Sequence, residues 1–137
     1  SAATAAQIKT GTVTDKYLPP DQTLSAFGFS AYFASAVQTI TAAGALTIAH
    51  GLGRKPILIQ QILKNVTGEA GYVTDDEVPA MFTGDDNSRG AAVIPDATNL
   101  VIRFGSLANV YVVLHKTTGV VTAITAANWK VIFRAWA

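Results

Sequence analysis

Leu46-Thr47-Ile48-Ala49-His50-Gly51-Leu52-Gly53-Arg54-Lys55-Pro56-Ile57-Leu58-Ile59-Gln60-Gln61-Ile62-Leu63-Lys64 holds a β-branched run, a tight turn with two glycines, and a long apolar strand that opens at a proline. Gly51 and Gly53 can take the positive φ that a reversal demands, and Pro56 stands where a strand can do without an amide donor, at its first residue. The stretch reads as a strand, a corner and a central strand. In the second strand Ile57, Ile59, Gln61 and Leu63 point one way, and Leu58, Gln60, Ile62 and Lys64 the other. Neither face is polar. A strand apolar on both sides is usually covered on both, and in an antiparallel fold without helices the second cover is another sheet or another subunit. This pattern points towards an oligomer.

The same texture runs through the flanking sequence. Thr98 to Gly105 alternates cleanly, with Leu100, Ile102 and Phe104 on one side and Asn99, Val101 and Arg103 on the other. Trp129 to Trp136 again has two apolar faces. Further strands are expected in Phe27 to Phe33, Val37 to Thr41, Ala91 to Ile94, Val110 to His115 and Val120 to Ile124. A short apolar piece stands at Ala80-Met81-Phe82. Between Asn65 and Pro79 the glycines and the run Asp75-Asp76-Glu77 predict a long surface excursion, and Gly84 to Gly90 is a polar loop. About nine or ten short strands with turn signals every ~8–12 residues indicate an all-β fold. The expected architecture is a two-sheet antiparallel β-sandwich, jelly-roll-like, with an open barrel as its neighbour.

Residues 1–24 are of another kind, alanine- and threonine-rich and ending near Pro19-Pro20. They predict an extended segment or short helix followed by a stiff hinge. Two readings stand side by side: a linker, or the end of a stalk that orders by winding against copies of itself. Residues 25–137 then form the β domain.

The chain of 137 residues is long enough to bury a core; half of it is hydrophobic, 14% is charged, and the formal net charge is +1. So little charge gives no general pull on nucleic acid or an anionic membrane, and membrane insertion is not expected. A surface so poor in charge is better explained if part of it is hidden in an interface. The absence of cysteine excludes disulfides and thiolate metal sites. No apolar run approaches the ~20 residues of a membrane helix. With no initiator Met and no signal-peptide layout, the chain is expected to be a piece of a longer polypeptide or a processed product.

Enzymatic chemistry finds little support. The His50 to Lys55 corner is followed by a strand, whereas a phosphate-binding glycine loop needs a helix N-terminus. His50 reads as a side chain that bonds local backbone. Two histidines without cysteine make a zinc cluster improbable. Asp75, Asp76, Glu77, Asp85 and Asp86 could converge on a hard cation, but their spacing fits no EF-hand, and solvated acids on loop tips is the favoured reading. No serine lies in a Gly-x-Ser-x-Gly elbow, and nothing near the acids would raise one pKa for glycoside hydrolysis. No catalytic residue, metal or cofactor is expected.

One resemblance can be named. Ala43-Gly44-Ala45-Leu46, Ala49-His50-Gly51-Leu52-Gly53, Gly71-Tyr72 with Asp76-Glu77-Val78, Pro95-Asp96-Ala97-Thr98-Asn99-Leu100, Lys116-Thr117-Thr118-Gly119 and Asn128-Trp129-Lys130 to Arg134-Ala135-Trp136-Ala137 follow one another in order. Over residues 36–137 the chain resembles a domain at the C-terminal end of tailed-bacteriophage tail fibres and related virion proteins. Gly11-Thr12-Val13-Thr14-Asp15-Lys16 is similar to repeats that precede such tips. The resemblance implies a homotrimeric tip on the virion that meets a host cell-surface receptor, a glycan or a surface protein. It carries over no catalytic and no binding residue.

Receptor-contact candidates come from local chemistry, since sugars favour aromatic faces beside forked polar groups. Tyr72 with Asp75 and Asp76 is one such set, and Asp85, Asp86, Asn87 and Arg89 form the other. Trp129 and Trp136 read as core or intersubunit packing. The rival readings are a purely structural virion part such as a capsid decoration or tail collar, a polysaccharide depolymerase, and a bacterial adhesin module.

Overall fold

The computed structural model describes residues 1–11, 17, 28–80 and 87–137. The Thr12 to Lys16 part of the stalk-like repeat, the Pro19-Pro20 hinge, Phe27, Met81-Phe82, Asp85 and Asp86 lie outside the described residues. The fold is all-β, with ten strands in antiparallel pairs and almost no helix among the described residues. A short helix α1 (Ala5–Thr10) starts at a Thr4/Gln7 capping box and stops at Gly11, whose φ of 64° ends the turn.

The largest sheet is built on β10 (Trp129–Trp136). Along its whole length β10 pairs with β4 (Leu58–Asn65), from Trp129↔Asn65 to Trp136↔Leu58. Its other edge takes β1 (Tyr32–Ala34) and β2 (Gln38–Thr39), and β5 (Glu77–Pro79) lies outside β4. The second sheet has the order β3 (Ala45–Ala49), β7 (Asn99–Phe104), β6 (Ala91–Pro95). A hairpin joins β8 (Val112–Leu114) to β9 (Val121–Ala123). A single 3-10 turn at Ala126–Asn128 leads into β10.

Both larger sheets give one face to a single buried cluster. Trp129, Val131, Phe133 and Ala135 of β10 and Leu63 of β4 meet Leu100, Ile102 and Phe104 of β7 there. All but Phe104 are fully buried, so the alternation in each strand is realised as one dry face. Gln61, the polar residue on that face of β4, is satisfied from both sides: it accepts from the Tyr111 hydroxyl at 2.9 Å and donates to the Ala91 carbonyl at 3.1 Å. Burial pushes the Tyr111 hydroxyl pKa well up, so it stays a donor.

The opposite face of the large sheet is only partly covered. Ile62 is buried at 3% exposure, with Ile132 and Pro79 across from it in the adjoining strands. Tyr32 and Leu58 flank Trp136 and remain exposed. The excursion between Asn65 and Pro79 differs from expectation at its end: Glu77–Pro79 is a strand, because Leu63↔Val78 pairing lets Val78 join the core. The acids ahead of it had masked that short apolar element.

Candidate functional site

The corner after β3 has the local geometry its glycines predict, with φ of 64° at Gly51 and 76° at Gly53. His50 is buried; its Nδ1 accepts the Leu52 amide at 3.1 Å, which leaves Nε2 to donate to the Asp96 carbonyl at 3.1 Å. Both ring nitrogens therefore bond backbone, Nδ1 locally as expected and Nε2 at a turn 46 residues along the chain. Asp96 in turn closes the next turn by accepting the Thr98 and Asn99 amides, and these bonds hold its carboxyl below the usual range.

The candidate site is the loop of residues 66–76 together with the Lys116 turn. Four positive-φ residues bend this loop: Gly68, Ala70, Gly71 and Asp75. At Gly71 a Cβ would also stand 2.9 Å from the His115 ring, which would have to shift to admit it. Glu69 sits at the base. Its carboxylate accepts the Thr125 amide (3.0 and 3.1 Å) and the Trp129 indole N–H at 2.6 Å. Burial opposes the charged form, but the bonds from Thr125, Trp129 and Asn128 outweigh it and lower the carboxyl pKa.

Tyr72 rises from this base. Its ring meets Trp129 edge-on at 5.4 Å, and its hydroxyl donates to the Leu114 carbonyl at 2.7 Å. Lys116 Nζ lies 5.9 Å from the ring centroid and also pairs with Asp76 at 2.7 Å. The Lys116 hydrogen bond is the main cause of the lowered Asp76 pKa, helped by the Val73 amide. Asp75 pairs with Lys64 at 3.1 Å while its side chain stays 75% exposed. Beside Tyr72 opens an apolar cleft of about 170 Å³ lined by Val78, Pro79, Val112, Val113 and Leu114.

Tyr72, Asp75 and Asp76 thus share one loop, as the sequence indicates. Asn87, exposed, and Arg89, half-buried, lie on the other polar loop, which packs on the turn at Gly105. Among the described residues no three His, Asp or Glu side chains are grouped to hold a metal ion. Glu69, Lys116 and Leu114 were missed by sequence reasoning. The one available signal was Trp129, because a buried indole N–H requires an acceptor. No protein-family model matches the chain, and no curated protein matches it.

Proposed function

We propose that the chain is the receptor-binding tip of a tailed-phage tail fibre: a homotrimer of two-sheet β-sandwiches on the virion that attaches to a host cell-surface receptor, a glycan. The receptor role rests on the ordered motifs of residues 36–137. The observation that carries the assembly is the apolar rim of the large sheet, where Tyr32, Ile57 and Leu58 are 56%, 72% and 48% exposed beside Trp136. A sister subunit supplies the cover that the chain's own strands do not. The sandwich is supported by the cluster that draws on both sheets.

The Tyr72 loop is the receptor surface in this reading, with the exposed Asp75 carboxylate as a hydroxyl acceptor. The test is binding of the fluorescently labelled chain to a panel of bacterial strains. Binding lost on Tyr72→Ala or Asp75→Ala, with the fold intact by circular dichroism, is expected. Absence of binding to every strain overturns the receptor role. One observation favours a purely structural virion part instead: Tyr72, Asp75 and Asp76 all have partners within the chain. That reading expects the same trimer with no adsorption to cells.

A further inference from the structure

Among the described residues the second sheet ends at β3, and this edge is unusual in carrying none of the devices that normally discourage pairing. The bonds from the His50 amide to the Thr98 carbonyl and from the Phe104 amide to the Gly44 carbonyl show that even-numbered residues face β7. Ala45, Thr47 and Ala49 therefore turn their N–H and C=O groups outward, and no described strand pairs with them. The strand has no charge, proline or bulge, whereas the opposite edge is blunted: Pro95 lacks a donor and Gln61 takes the Ala91 carbonyl. The inner face shows the same incompleteness. Leu100 and Ile102 of β7 are fully buried, but Leu46 and Ile48 of β3 are only half-buried.

We infer that the β3 edge pairs with the β3 edge of a second copy of this chain, antiparallel about a twofold axis at Thr47. The sequence Ala45-Leu46-Thr47-Ile48-Ala49 is nearly the same read in either direction. Centred on Thr47, the pairing sets Thr47 against its own copy, Ala45 against Ala49, and Leu46 against Ile48. The outward groups of Ala45, Thr47 and Ala49 then bond reciprocally, because all three fall at hydrogen-bonded positions of the new ladder. Small residues meet on the outer face, and each half-buried Leu46 is covered by the partner's Ile48. A contact on a twofold is isologous, so it is distinct from the cyclic contacts of a trimer. The smallest closed assembly that holds both contacts is a pair of trimers.

Sedimentation analysis separates these possibilities. Even-numbered species are expected, of two chains, or of six if the trimer also forms. Thr47→Lys and Thr47→Glu each place like charges face to face, and each is expected to weaken the even-numbered species about tenfold or more. Mixing the two restores them. Ala45→Lys mixed with Ala45→Glu is expected to gain nothing, since each charge faces a neutral Ala49, whereas Ala45→Lys mixed with Ala49→Glu is expected to strengthen the mixed even-numbered species, since position 45 faces 49. These side chains are exposed, so circular dichroism is expected to stay unchanged. A wild-type chain found only as one or three chains overturns the inference, as does Thr47→Lys without effect; a three-chain species alone leaves the trimer reading standing.

Discussion

Glu69 ties together segments sixty residues apart, and its removal is the sharpest single-side-chain test of the candidate site's base. Glu69→Ala leaves the fully buried Trp129 indole N–H without its acceptor, and a loss of about 2 kcal/mol in urea-unfolding free energy is expected. Acid has a related effect. Glu69, Asp76 and Asp96 all titrate lower in the fold than in the unfolded chain, so their contribution is complete above the unfolded carboxyl range of about pH 4–4.5. It is lost as pH falls through the lower folded values. Unfolding free energy measured from pH 6 to pH 2 is expected to decline through that window, with a shallower slope in Glu69→Gln. His50 was legible as a backbone-bonding side chain from its place beside a glycine turn. Glu69 was not, because nothing local marks an acid whose partners arrive from Thr125 to Trp129.

Strand alternation carried the individual elements. Asn99–Phe104 was legible because Leu100, Ile102 and Phe104 alternate with a different, partly polar set, and Trp129–Trp136 because it is a strand-forming run with apolar residues on both faces. β5 escaped notice: three residues, the first of them the last of three successive acids, make no period, and only the register with β4 makes them a strand. Phe133→Ala, in the middle of the longest ladder and fully buried, is expected to lower stability by about 3–5 kcal/mol in the same unfolding assay. Gly105 is held to glycine by space, since a Cβ there would run into the Ser88 backbone. Gly105→Ala is expected to destabilise by about 1–3 kcal/mol, which a thermal melt would register.

At the level of the assembled protein, the apolar rim of Tyr32, Leu58 and Trp136 makes the trimer testable without any receptor. Leu58→Glu puts a charge on an exposed position of that rim and is expected to abolish the three- or six-chain species, leaving no more than two chains together, at unchanged circular dichroism. Retention of the three-chain mass would place the trimer contact elsewhere. Two-faced strands such as Ile57 to Lys64 were legible as needing two covers, yet the second cover is uneven. Ile62 lies buried with Ile132 and Pro79 across from it, while Leu58 at the sheet's rim stays exposed.

The order of residues alone established an all-β chain, the inward faces of its principal strands, its glycine corner and its lack of cysteine chemistry. These are local properties, written in a period of two and in the few residues that tolerate positive φ. Which strands adjoin, that the Ile57 to Lys64 strand shares the interior of the large sheet with β10, and that β3 has no second neighbour among the described residues emerged only from the folded chain. Pairing joins residues far apart in sequence, and several registers satisfy the same alternation until side chains such as Gln61, Tyr111 and Glu69 find their partners across the core.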